Sequence, residues 1–232
     1  MSPMRHLFGL VAFAVVALTG SRLAAADNTP PQGFKALFNG KDLTGWQGLV
    51  ELPDREKLAA DPAALKAAHK KANDEILPHW SVKDGVLIYD GKGNSLQTDR
   101  DYGDFELWVD WKIGPKGDSG IYLRGNPQVQ IWDPALQPLG SGGLYNNQKN
   151  PKDPIKKADK PIGEWNTFRI IMKGEKVTVY LNGQLVVDNV TMENYWAQTK
   201  RMPPGPIPAK GPIELQHHGN PLYFKNIYIK EL

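Results

Sequence analysis

From residue 80 to the C-terminus, apolar and polar positions alternate with a period of two in short segments separated by turn chemistry. Phe105, Leu107, Val109 and Trp111 alternate with Glu106, Trp108, Asp110 and Lys112, predicting a half-buried strand. The turn residues Gly114 to Gly120 follow. Ile121 and Leu123 then fall on one face, Tyr122 and Arg124 on the other. Next, Val129 and Ile131 take the core parity, and Gln128 and Gln130 take that of Tyr122 and Arg124. Two hairpins are predicted. Trp80–Tyr89 turns at Asp84-Gly85, and Lys176–Val187 turns at Asn182-Gly183. Ser95–Thr98, Thr167–Met172 and Leu222–Ile229 supply further strands. In Ile213–His218, Glu214, Gln216 and His218 share one face, with Ile213 and Leu215 turned to the core. His217 takes the core parity.

Two stretches break the period. Residues 50–78 change character: Asp61-Pro62 is an N-cap followed by proline at the first helical position. Leu65, Ala68, Ala72 and Ile76 then follow helical spacing up to Pro78. One helix is expected at about Pro62–Leu77, within an insert spanning about 54–77. Pro134–Pro161 is a long loop rich in Gly, Asn, Lys and Pro, and loops of this length are usually functional or disordered. With Tyr145 and the pair Asn146-Asn147, it is a candidate ligand-facing loop. Trp46 is expected to pack under the sheets, the alternative being a sugar-stacking aromatic. The fold class is all-β, an antiparallel jelly-roll β-sandwich with one inserted α-helix.

Composition narrows the function classes. The chain has 232 residues, 23 glycines and 19 prolines, consistent with many turns, and no cysteine. Disulfides, thiolate metal sites and cysteine nucleophiles are excluded. Residues 1–26 read as a cleaved secretion signal: a basic start, an apolar run Leu7–Leu18, then small residues ending at Ala26. A secreted or periplasmic protein with no membrane attachment after cleavage is expected. Residues 27–32 form a polar linker, and 33–232 form the folded domain. Cleavage would remove Arg5 and Arg22 and no acid, leaving 26 basic against 25 acidic residues. Neither this balance nor any Lys/Arg stripe with interleaved aromatics points to nucleic acid. There is no P-loop, dinucleotide fingerprint, zinc-protease helix or EF-hand loop.

Several stretches together resemble the 3-keto-disaccharide hydrolase family. They are Leu37-Phe-Asn-Gly-Lys-Asp-Leu-Thr-Gly-Trp46, Tyr102-Gly-Asp-Phe-Glu-Leu107 and Gly117-Asp-Ser-Gly-Ile-Tyr-Leu-Arg124, then Gly163-Glu-Trp-Asn166, Leu181-Asn-Gly183, Leu215-Gln-His-His-Gly219 and Phe224-Lys-Asn-Ile227. They run in order over nearly the whole chain after the signal. The resemblance implies a concanavalin A-like sandwich acting on a small carbohydrate, with no cofactor required. It implies cleavage of 3-keto-glycosides by loss of the C2 proton, elimination of the C1 substituent and hydration. One position departs from the family pattern: many members carry glutamate where this chain has Gln128, which cannot act as a base.

That chemistry needs a base titrating near neutrality, donors or a cation for the enolate oxygen, and an acid for the leaving oxygen. The resemblance makes His218 the base candidate; without it, the residue reads as a loop histidine bonded to backbone. Arg124 is either a cation for the enolate oxygen or a rim arginine whose stem covers apolar surface. Asp133 and Glu214 could orient His218 or serve as acid, or simply pair with a cation. Gln128, Gln130, Gln216, Tyr122, Tyr145 and Asn166 are candidate sugar-binding residues. A divalent cation such as calcium could be held by Asp118, Asp133 or Glu214 with carbonyls, although no spacing specifies one. Two other functions stay open: a non-catalytic lectin-like domain, and an ordinary glycosidase using Asp133 and Glu214 as paired carboxylates.

Overall fold

The structure, a computed structural model, describes residues 27–232; the expected secretion signal at 1–26 lies outside them. In chain order the domain opens with β1 (Lys35–Ala36) and β2 (Trp46–Gly48), then helices α1 (Leu52–Leu58) and α2 (Pro62–Ile76). β3 (Trp80–Lys83), β4 (Val86–Tyr89), β5 (Leu96–Thr98), β6 (Phe105–Ile113), β7 (Asp118–Leu123) and β8 (Asn126–Trp132) follow. After the long loop come β9 (Asn166–Lys173), β10 (Lys176–Leu181), β11 (Gln184–Thr191), the short α3 (Tyr195–Gln198), β12 (Glu214–Leu215) and β13 (Leu222–Glu231).

The strands form two antiparallel sheets, as the alternation predicts for a jelly-roll sandwich. The larger has eight strands in the order β11-β10-β9-β6-β13-β4-β3, with β1 also on β13. The smaller has five, in the order β2-β5-β12-β7-β8. The two inner faces meet in one apolar core. Leu107, Val109 and Ile170 from the larger sheet and Ile121, Val129, Ile131 and Leu215 from the smaller are all fully buried. Trp46 joins this core and its indole N–H donates to the Leu37 carbonyl at 2.7 Å. The turn after β6 does not close a hairpin. It carries the chain from one sheet to the other, so β6 and β7 never pair.

Both predicted hairpins form. Asp84-Gly85 and Asn182-Gly183 take left-handed backbone in both turn residues, with φ of 52°, 75°, 51° and 78°, which suits the twist of the flanking strands. The insert departs from expectation in holding two helices. α2 starts where predicted, with the Asp61 carboxylate accepting from the Ala63 and Ala64 amides at 3.1 and 3.0 Å. α1 precedes it; at two turns it is too short to show apolar periodicity, and only Leu52 and Pro53 of its residues are buried. α2 sits directly on β2. The Asn73 side chain accepts from the Gly48 amide at 2.7 Å, and a Cβ on Gly48 would stand 2.5 Å from the Ala72 carbonyl oxygen. The expected linker is docked too: Asn28 exchanges hydrogen bonds with Asn226 and donates to the Gly85 carbonyl.

Candidate functional site

Period two sends every second side chain of the five-stranded sheet away from the core. On β7, β8 and β12 most of those are polar: Asp118 and Tyr122, Gln128 and Gln130, Glu214, with Gln216 and His218 just beyond. Over this outer face lies a cavity of about 360 Å³, within the range of small-molecule sites. Its floor and walls include Asp118, Tyr122, Gln128, Gln130, Gln216 and His218.

Two pairs of aromatics stand over the floor. Trp132 and Tyr145 meet edge to face at 5.1 Å, as do Tyr195 and Trp196 at 5.0 Å. Tyr145 arrives on the long loop because residues 142–144 bond along the free edge of β8, through Gln130 N to Gly143 O at 2.9 Å and Gly142 N to Gln130 O at 2.8 Å. Tyr195 and Trp196 arrive on α3. Buried Asn126 accepts from the Tyr195 amide at 3.0 Å and donates to the Glu193 carbonyl at 3.0 Å. The Trp196 indole donates to the Gly125 carbonyl at 2.7 Å. The cation of the cavity is Arg201, stacked over Trp196 at 5.0 Å and paired with Glu51 and Asp54.

The Asp118 carboxylate oxygen lies 3.6 Å from His218 Nδ1, and its other oxygen accepts from the Gln130 amide at 2.8 Å. Burial pushes the Asp118 carboxyl above its ordinary range, against the pull of the His218 imidazole and the Gln130 amide. Burial, then the nearby Glu214 and Glu51, push the Tyr122 phenol well up, so it stays a neutral donor. The Gln216 amide approaches its oxygen at 3.4 Å. His217, of core parity, is half-buried and shares a 3.0 Å hydrogen bond with Ser95.

Tyr122, Gln128, Gln130, Tyr145, Gln216 and His218 are thus brought together. Four expected site residues are not. Arg124 does not share the Tyr122 face, because alternation ends at Leu123: Arg124 and Gly125 form a tight turn with φ of 56° and 70°. Its guanidinium is buried, donating to the Gly103 carbonyl at 2.8 Å and pairing with Asp104 at 2.5 Å. It is therefore neither a ligand-facing cation nor a solvated rim residue. Asp133 closes a turn outside the cavity, accepting from the Lys116 and Ala135 amides at 2.8 Å each, and these bonds lower its pKa. Asn166 organises the loop before β9, accepting from Lys160 N at 2.9 Å and Asn182 Nδ2 at 2.8 Å. Glu214 has the predicted parity but is sealed, 1% exposed. Burial, then Glu51, push its pKa up to about 8, against a small pull from Arg55. Asp133 and Glu214 therefore do not flank a common cleft. Asp118, Asp133 and Glu214 do not converge on a cation either; among the described residues no group of three acid or histidine side chains gathers at metal-binding distance. The cavity residues that pattern reading missed include Glu51, Trp132, Tyr195, Trp196 and Arg201. All but Trp132, which ends β8, sit at a helix cap, in a four-residue helix or in a loop, where periodicity carries no information.

Fold and site together define a two-sheet antiparallel β-sandwich with an aromatic-walled cavity over a polar, partly buried floor. A sequence profile described as the 3-keto-alpha-glucoside-1,2-lyase-like domain matches residues 33–230, and the chain belongs to that family. A 3-keto-disaccharide hydrolase of Bacteroides thetaiotaomicron is 23% identical, over 86% of this chain and 79% of its own. A crystal structure of a candidate glycosyl hydrolase from Parabacteroides distasonis superposes with a TM-score of 0.63 at 26% identity, covering 89% of this chain and all of that one. A second from the same organism gives 0.57 at 27% identity, covering 86% and 99%. Among the described residues no helix is long and apolar enough to cross a membrane.

Proposed function

We propose that the cavity cleaves 3-keto-glycosides, and that the protein is secreted with residues 1–26 removed. The observation that carries the reading is the His218–Asp118 pair at the edge of a polar, aromatic-walled cavity in a chain of this family. His218 takes the C2 proton, and Asp118 supports the imidazolium that forms. The electrons of the C2–H bond move into the enolate. They then expel the C1 oxygen as the C1–C2 double bond forms. The leaving oxygen takes the proton that His218 removed, and water then adds across the C1–C2 double bond, its hydroxyl to C1 and its proton to C2, to give net hydrolysis. Tyr122, a donor at every working pH, and Arg201 are placed to meet the charge on the C3 oxygen. Gln128, Gln130, Gln216 and Tyr145 hold the sugar. With glutamine at 128, the base role falls to the His218–Asp118 pair. No cofactor is needed for these steps.

The test incubates the purified protein with a glucoside and with its 3-keto form. Aglycone release from the keto form alone, lost in His218→Ala with the fold retained by circular dichroism, is the expected result. Cleavage of the plain glucoside, binding without cleavage, or full activity in His218→Ala refutes the assignment.

A further inference from the structure

Helices α1 and α2 take no part in the steps proposed above, yet they form a second cavity beside the first. This groove holds about 530 Å³ between α1, α2, the segment that follows β2 and the loop before β5. Its apolar walls are Leu49, Val50, Leu58, Ala68, Ala72 and Ile76. Leu49, Leu58 and Ala68 are only half-buried, so the groove is open to a ligand. It is also held in shape. The Asn73–Gly48 bond and the close approach of Gly48 to Ala72 fix α2 on β2. The Trp80 indole donates to the Asn94 carbonyl at 3.0 Å and fixes the loop before β5. Arg55 on Asp101 at 2.9 Å and Arg201 on Asp54 at 3.0 Å fix α1.

The two cavities share a wall. Glu51 lines both, and Asp54 of the groove pairs with Arg201 of the first cavity. The side chains of this ridge, Glu51, Arg201 and Asp54, are 40%, 35% and 44% exposed, so a ligand can lie across its top. The chemistry changes from one side to the other. The first cavity presents acids, amides and an imidazole, which suit a sugar. The groove presents hydrocarbon, and its rim charges are already paired, Lys71 with Glu75 and Arg201 with Glu51 and Asp54. We infer that the groove between α1 and α2 is an aglycone subsite, taking an apolar alkyl or aryl group on C1 of the glycoside whose sugar fills the first cavity. It rests on the proposed function for where the sugar sits, not for which bond breaks. A second sugar suits the groove poorly, because its hydroxyls would face leucine and alanine side chains without partners.

The experiment compares methyl, butyl and hexyl glucosides, whose leaving oxygens are alike in basicity, with a glucose disaccharide. Each is used in plain form for calorimetry and in 3-keto form for kinetics. From methyl to hexyl, Kd of the plain series and KM of the keto series are expected to fall about tenfold with kcat unchanged, the effect of seating about two methylenes. Leu58→Gln and Ala68→Glu, on facing helices at half-buried positions, should each erase that step; either variant that folds carries the test. The inference is overturned if affinity is flat from methyl to hexyl, if the step survives in both variants, or if the disaccharide binds more tightly than the hexyl glucoside. Keto-glucosides left uncleaved while the step in Kd persists would refute the reaction and leave the subsite standing. Failure of every glucoside, plain or keto, to bind would overturn both.

Discussion

Glu214→Gln should stabilise this domain, and increasingly so as the pH rises. The carboxyl is 1% exposed, one of its oxygens has no hydrogen-bond partner, and its pKa is pushed from an ordinary 4.5 to about 8. The unfolded chain releases this proton above about pH 4.5, while the folded chain keeps it until about pH 8. The unfolded state therefore binds fewer protons across that window, and stability falls as pH rises through it. At about 1.4 kcal/mol per pH unit, the penalty is roughly 3 kcal/mol at pH 7 and on the order of 5 kcal/mol by pH 8. Glutamine has the same shape and no charge to bury. Urea denaturation of both proteins at pH 5 and pH 8 measures the effect directly. Parity within about 1 kcal/mol at pH 5 should widen to a gain of roughly 3–5 kcal/mol for the variant at pH 8. Other shifted groups, such as Asp118 and Asp133, are common to both proteins and largely cancel in the difference. A difference that does not grow with pH would mean that Glu214 ionises in the folded protein at an ordinary value. The burial argument would then be wrong.

Arg124→Ala should cost about 2 kcal/mol of stability, since it strips a buried ion pair whose Asp104 partner stays hydrated; the kcat of the folded fraction should be unchanged, and a loss of turnover at full stability would return Arg124 to the site. Gly48→Ala drives a methyl into the Ala72 carbonyl 2.5 Å away, so α2 must lift from β2; a drop of several degrees in Tm is expected, and an unchanged Tm would show that the helix yields freely. Asp118→Asn removes the carboxylate beside His218 and should lower kcat at least tenfold with the fold intact, whereas unaltered kcat would leave His218 acting alone.

The strands of this domain were legible because each has one face on a single core. Leu107 or Val129 cannot be moved to the opposite parity without exposing apolar surface, so alternation in the sequence states which way each side chain points. The same rule turned Tyr122, Gln128, Gln130 and Gln216 away from the core side of their strands, and the sheet order then set them on one outer face. It failed at Arg124, one residue past the end of its strand, where a left-handed turn breaks the period. It was silent at Glu51, Tyr195 and Arg201, which lie at a helix cap, in a four-residue helix and in a loop. It also had no means of telling an open outer face from a covered one. Glu214 and Gln216 share a face two residues apart, yet the first is sealed and the second borders the cavity.

By itself, then, the chain determined its elements, the inward and outward sides of its strands and its likeness to a family of sugar-cleaving enzymes, because these follow from local periodicity and short motifs. Only the tertiary structure decided that Asp118 meets His218, that Arg201 rather than Arg124 is the cation of the cavity, and that Glu214 is sealed while Gln216 lines it. Those contacts join segments as far apart as Glu51 and Arg201, and their geometry depends on how two sheets, a helical insert and a long loop pack together.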